Sequence, residues 1–298
     1  EKEATLIITK ESTGSLTATG GGYGAAGIGG RATVPDYENT IISYKTGTIE
    51  IQGGNIHAVG GDCWLMGSAV HLGGAGIGTG MYGIGGTVRI LGGTVKAEGG
   101  KDTGAGIGGG DNGAVDSIQI GEKNGEAPEV EASSWNVKYG AAIGSGRNAQ
   151  SGLKLSCGTI NIFSGNLKVK GNIGYGGIDK NEGNEQIGGS VDISEQVKLK
   201  LTDGTIEPRG TTCTFGKKTF QMTVYDNQLS DGTYSVKIRF YQEGDTARNT
   251  PVYETDAEME VSAFKGTIPA VTEWLGFTGN MSVVAEVTDS QNNTVTET

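Results

Sequence analysis

A seven-residue string returns more than a hundred positions after its first appearance, as Ile84-Gly85-Gly86-Thr87-Val88-Arg89-Ile90 and again as Ile187-Gly188-Gly189-Ser190-Val191-Asp192-Ile193. A chain that repeats itself this way stacks equivalent units, because no single unit can bury its own apolar face. The centre of the string recurs as Ile49-Glu50-Ile51, Val88-Arg89-Ile90, Ile118-Gln119-Ile120, Ile160-Asn161-Ile162 and Val191-Asp192-Ile193, at intervals of 30 to 42 residues. Each copy is a short strand with its two outer residues on one face and its middle residue on the other. A second element with the same alternation follows each: Ile56-His57-Ala58, Val95-Lys96-Ala97, Val130-Glu131-Ala132, Leu167-Lys168-Val169 and Val197-Lys198-Leu199.

The third element is glycine-rich: Gly27-Ile28-Gly29, Gly76-Ile77-Gly78, Gly106-Ile107-Gly108, Ala142-Ile143-Gly144 and, more loosely, Gly177-Ile178. Glycine makes up 55 of the 298 residues, against 5 prolines and without a collagen period, so it serves corners rather than a triple helix. Three short strands per unit with no helical periodicity between them predict an all-β fold, a right-handed parallel β-helix of about five to six coils. The segments Ala4-Thr5-Leu6-Ile7-Ile8 and Leu16-Thr17-Ala18 read as an initial, atypical coil. Loops interrupt the repeat at 31–47, 62–72, 121–129 and 145–157, the kind of insertion that often forms the binding face of a solenoid.

Beyond about residue 205 glycine thins and longer alternating strands begin, such as Tyr234-Ser235-Val236-Lys237-Ile238-Arg239-Phe240. The expected division is therefore a glycine-rich β-helix over 1–205 and a small immunoglobulin-like β-sandwich over 206–298, with the junction within 202–214.

Lys plus Arg total 23 and Asp plus Glu 34, a formal charge of −11 that disfavours nucleic acid and anionic lipid as partners. No apolar run is long enough to insert in a membrane, and Glu1-Lys2-Glu3 does not open a signal peptide, so the chain reads as a mature portion or an excised piece. Cys63, Cys157 and Cys213 have neither metal-ligand spacing nor the number for a disulfide framework, and are expected as small buried residues.

The strings Gly104-Ala105-Gly106-Ile107-Gly108-Gly109-Gly110, Gly74-Ala75-Gly76-Ile77-Gly78 and Gly24-Ala25-Ala26-Gly27-Ile28-Gly29-Gly30 resemble the GAGIGGG repeats of large surface or secreted proteins of gut-type Firmicutes, over about residues 14–201. In that setting such β-helices stand beside immunoglobulin-like modules, and some similar β-helices are calcium-dependent carbohydrate-binding modules. The resemblance implies an extracellular or cell-surface bacterial protein, one module of a larger parent chain. It carries over no binding residue.

Chemistry is sparse. Neutral sugars are held by aromatic rings stacked on their apolar faces with a few fixed polar groups. The rings outside the core pattern are Tyr23, Trp64, Tyr82, Trp135, Tyr139 and Tyr175, and three of them stand in the strings Tyr23-Gly24, Tyr139-Gly140 and Tyr175-Gly176, which form an aromatic edge if they share one corner. Asp102, Asp111 and Asp116 flank glycine turns, where calcium finds hard oxygen ligands, although Asx residues serve turns directly as well. No other cofactor is implied.

The outward row Glu50, Arg89, Gln119, Asn161 and Asp192 supplies the carboxylates for an alternative reading, a polysaccharide-cleaving β-helix enzyme. A second row, Thr17, His57, Lys96, Glu131, Lys168 and Lys198, is more cationic and suits an acidic glycan or blunts edge pairing. His57, Cys63 and His71 make a poor zinc set, and two histidines with no nucleophile elbow support no catalytic triad. The leading expectation is a non-catalytic glycan-binding, adhesive or spacer module, whose partner is a polysaccharide or host glycan.

Overall fold

The structure, a computed structural model, describes residues 4–33, 44–64, 71–179, 183–225, 227, 229–242, 248, 251–276, 281–288 and 294–297. Of the expected loops, 34–43 and 65–70 lie outside the described residues. The described residues are all-β and contain no helix, hence none long and apolar enough to cross a membrane. The chain divides into two compact units, Glu1–Cys213 and Thr214–Thr298.

The first unit winds through three parallel six-stranded walls. The first wall stacks Thr5–Ile8, Thr48–Ile51, Thr87–Ile90, Ser117–Ile120, Thr159–Ile162 and Ser190–Ile193. The second stacks Ser15–Thr19, Asn55–Val59, Thr94–Glu98, Glu129–Ser133, Asn166–Lys170 and Lys198–Thr202. The third, only two residues wide, stacks Ile28–Gly29, Ile77–Gly78, Ile107–Gly108, Ile143–Gly144, Ile173–Gly174 and Ile206–Glu207. One strand from each wall makes a coil, and the described residues form six.

Register carries the sequence repeat into packing. Ile49, Val88, Ile118, Ile160 and Val191 are paired rung to rung, and all are buried. Ile77, Ile107, Ile143, Ile173 and Ile206 form an equivalent column in the third wall. Burying each such side chain contributes on the order of 1.5 to 3 kcal/mol, and stacking repeats that gain from coil to coil. The third wall can be this tight only because of its glycines. Gly108 has φ +132, and a Cβ there would lie 1.9 Å from the carbonyl oxygen of Gly144 in the next coil. Gly144 repeats the relation with Gly174, at φ +139 and 1.9 Å.

Three expectations shift. The glycine strand of coil five is Ile173–Gly174, not Gly177-Ile178; Ile178 lies past the turn, exposed, and pairs with Asn148. In coil six the residue level with Lys168 is Lys200 rather than Lys198. A slip of two residues keeps the same face outward, so the alternation alone could not distinguish them. The first unit also runs past residue 205, because Ile206 completes the third wall on Ile173 and Arg209 pairs with Val191.

The second unit is one antiparallel sheet in the order Gly216–Tyr225, Lys265–Leu275, Tyr253–Ser262, Gly232–Gln242, Met281–Thr288, Thr294–Glu297. The rings of Phe220 and Phe240 are 4.8 Å apart although two strands intervene between theirs. A flat sheet would separate those strands by about 14 Å. The sheet therefore curls around a core that includes Val236, Ile238, Met259, Ile268 and Val287. An immunoglobulin-like sandwich divides its strands between two sheets; the described strands here are joined in one.

Candidate functional site

The short third wall has a turn on either side. The entry corner leads into it from the second wall, and the exit corner leads on to the next first-wall strand. Both are built by glycine, and between them they hold the six nominated aromatic rings and the three nominated aspartates.

At the entry corner, Tyr23 in coil one has φ +67 and is 65% exposed. Coil two inserts an antiparallel pair, Asp62–Cys63 with Leu72–Gly73, and Trp64 follows its first strand at 62% exposure. Coil three contributes Lys101 and Asp102, and coil four Trp135, 67% exposed, and Tyr139. The loops of coils two and three are stitched together. The Lys101 amide donates to Asp62 Oδ1 at 2.6 Å, and the His71 amide to Asp102 Oδ2 at 2.9 Å. Lys101 Nζ lies 2.9 Å from His71 Nε2, and the Gly73 amide donates to Thr103 Oγ1 at 2.8 Å.

The exit corner is closed and ionic. Asp111 is fully buried, accepts from Arg147 Nε at 3.0 Å and from Asn112 Nδ2 at 2.6 Å, while Asn112 Oδ1 accepts the amides of Ala149 and Gln150. Burial pushes the Asp111 carboxyl up to about 6, with the Arg147 charge pulling the other way. Tyr82 is half-buried beside this pair, and its phenol is raised by burial and then by the Asp111 charge. Arg147 also approaches Asp179 at 3.7 Å and stands 5.5 Å from the Tyr139 ring. That contact joins the two corners, as do the hydrogen bonds from the Asp111 amide to Gly73 O and from the Arg147 amide to Thr103 O.

The six nominated rings are thus split. Tyr23, Trp64, Trp135 and Tyr139 belong to the entry corner, Tyr82 and Tyr175 to the exit corner. The three Tyr-Gly strings do not share a corner: Tyr23 and Tyr139 precede the third-wall strand of their coils, whereas Tyr175 follows Ile173–Gly174 and its hydroxyl donates to Gly188 O. The offset between each Tyr and its Ile, already unequal in sequence, was the warning.

The three aspartates do not converge. Asp102 holds the His71 amide at the entry corner, Asp111 holds Arg147, and the exposed Asp116 accepts from the Gly86 amide at 3.2 Å. Among the described residues no group of three or more His, Cys, Asp or Glu is placed to hold a metal ion. His57 sits away from Cys63 and His71, on the second wall, 2.6 Å from Glu98.

Nor do the carboxylates of the first-wall row pair. Glu50 binds Arg89 at 2.6 Å, as adjacent rungs of opposite charge should, and Asp192 accepts from Thr212. Four rungs, about 19 Å, separate Glu50 from Asp192, against roughly 5 to 9.5 Å for glycosidase carboxylates. The residues that sequence reasoning missed are Arg147 and Lys101. Arg147 was visible in principle: counted three residues past the strand glycine, coil three carries Asp111 and coil four Arg147. Comparison with family models, curated proteins and solved structures gave no significant match.

Proposed function

We propose that the chain is a non-catalytic, glycan-binding module of an extracellular bacterial protein, with the entry corner as its binding edge. One observation carries this reading. Among the described residues, the strongly exposed aromatic rings of the first unit, Tyr23, Trp64 and Trp135, all lie on that single corner, in coils one, two and four. Bare rings cost solvation, and a row of them beside fixed polar groups is the usual makeup of a sugar-stacking surface. Between the rings, Lys101, Asp62 and Asp102 offer donors and acceptors for hydroxyl groups, held in place by the cross-coil hydrogen bonds.

The finer architectural readings belong to the same proposal. A right-handed coil is supported by the general hand of parallel crossover connections. An immunoglobulin-like use of the second unit, as a spacer between modules of a longer surface protein, is supported by its size and its long alternating strands; its strand order is its own. Calcium enters as an arm of the test.

The test is retention of the protein on a panel of neutral and acidic polysaccharides, with and without calcium. The double variant Trp64→Ala/Trp135→Ala is expected to lose retention while keeping its melting temperature. Retention equal to the parent protein would remove the entry corner as the site, and release of sugar ends or unsaturated products would replace a binding module by an enzyme.

A further inference from the structure

The outward face of the second wall changes character along the stack. In coils two to four it sets charges of both signs side by side: His57 and Lys96 lie 2.6 and 2.9 Å from the same Glu98 oxygen, and Glu131 stands level with Lys96. The strands of coils five and six carry Lys168, Lys170, Lys198 and Lys200 outward and no acid. All four are exposed. Lys168 and Lys200 are register partners, so two like charges stand directly opposite on adjacent rungs, about 4.8 Å apart at the backbone. Among the described residues none of the four enters an ion pair, whereas Lys154, on the exit side of coil four, is paired with Glu185.

Lysine on the last strand of a sheet ordinarily blunts edge pairing, and Lys198 and Lys200 suffice for that. Lys168 and Lys170 stand one rung inside, where no edge needs protection. The block has acidic margins. Glu131 stands level with Lys168 on coil four, Glu129 beside it accepts from Asn166 Nδ2, and Glu195 and Asp203 lie in the corners before and after the last strand. Two residues advance a strand by about 6.8 Å and one rung adds about 4.8 Å, so Lys198, Lys200, Lys168 and Lys170 follow a stepped line between those margins. The line ends at the entry corner. There Lys170 O accepts the Ser134 amide at 3.2 Å, and the exposed Trp135 and Lys138 come next in the chain.

We infer that this stepped line of lysines binds a carboxylated polysaccharide, whose chain runs from coil six across coil five to the entry corner. The choice of a saccharide rests on the reading of that corner as a sugar-binding edge, with which the line is continuous; the charge of the ligand rests on the lysines alone. A lysine ammonium is a compact point charge on a flexible stem and asks for no planar, bidentate partner, so it suits carboxylates spaced along a polymer. A densely phosphorylated or sulfated chain is opposed by the net charge of −11 and by the acidic margins, which a ligand with spaced charges passes between. A carboxylate seated between Lys168 and Lys200 replaces their mutual repulsion by attraction to both.

The test is retention of the 298-residue chain on polygalacturonate, with the same polymer methyl-esterified as its uncharged comparator. Retention is expected to be stronger on the acid than on the ester, and the excess to vanish at high salt. Lys168→Gln/Lys200→Gln is expected to weaken retention on the acid at least about tenfold, with a melting temperature equal to or above the parent's because a repulsion is removed. Lys170→Gln/Lys198→Gln should repeat the loss without touching the opposed pair. The control Lys154→Gln/Lys237→Gln removes as much charge elsewhere and should keep retention. Equal retention on acid and ester, nil included, full retention by the Lys168→Gln/Lys200→Gln variant, an equal loss in the control, or tighter capture by poly-glutamate or duplex DNA would each overturn the inference. Trp135→Ala separates it from the entry-corner reading. Loss in that variant with none in the lysine variants overturns the inference and leaves the corner standing; the reverse keeps the lysine line and removes the corner.

Discussion

The entry and exit corners flank the same two-residue wall and turn on the same glycines, yet they keep opposite things from water. The entry corner leaves Tyr23, Trp64 and Trp135 largely outside. The exit corner takes Asp111 and Arg147 inside, where a charge is tolerated only because a partner lies 3.0 Å away. On the proposed reading, the difference assigns stability to one corner and recognition to the other. One corner should respond to mutation in its melting, the other in its binding.

The sharpest break in that comparison is Arg147→Met, which strands the Asp111 carboxylate in a dry site. A loss of about 3 to 5 kcal/mol is expected, read by denaturant unfolding of the first unit, with glycan retention by the folded fraction unchanged. A loss below about 1 kcal/mol would show that the corner is wetter than its burial indicates.

The next effect is on pH dependence. Folding raises the Asp111 carboxyl to about 6, above its unfolded range near 4, so the folded state holds its proton more tightly. Its contribution is fully present below the unfolded value and is lost as pH rises through 6. From this group alone, stability should fall between about pH 4 and 6 by on the order of 2 to 3 kcal/mol. Asp111→Asn should flatten that portion of the melting curve against pH, and an unchanged slope would assign it to other carboxylates.

At the entry corner, Trp64→Ala and Trp135→Ala are each expected to weaken glycan retention about tenfold, near 1.4 kcal/mol, with unfolding shifted by less than about 0.5 kcal/mol. Retention lost together with stability would mean that the rings are covers rather than contacts. The smallest effect is reserved for Tyr175→Phe, which removes one hydroxyl donated to Gly188 O on the exit side. It should cost about 1 kcal/mol of stability and no retention. A retention defect there would move the binding edge across the third wall.

Most of the solenoid was legible because alternation and glycine are local signals. Val88-Arg89-Ile90 and Ile118-Gln119-Ile120 declare which face is buried before any partner is known, and the structure stacks them rung on rung. Errors arose where two local solutions were equivalent. Leu199-Lys200-Leu201 and Val197-Lys198-Leu199 present the same face, and only the length of the preceding corner selects the first. Coil five misled for the opposite reason: Ile173–Gly174 lacks the Gly-Ala lead of its relatives, while Gly177-Ile178 imitates it.

The sequence by itself determined the repeat, the inward faces of its strands, the need for glycine in the third wall and the change of character near residue 205. All of these follow from the chemistry of a few consecutive residues. Only the tertiary structure decided which rings share a corner, that Arg147 answers Asp111 across coils, and that Glu50 and Asp192 stand four rungs apart. Those relations join residues 36 to 142 positions apart, and the stacking of coils, which converts a sequence interval into a step of about 4.8 Å, is what brings them together or holds them apart.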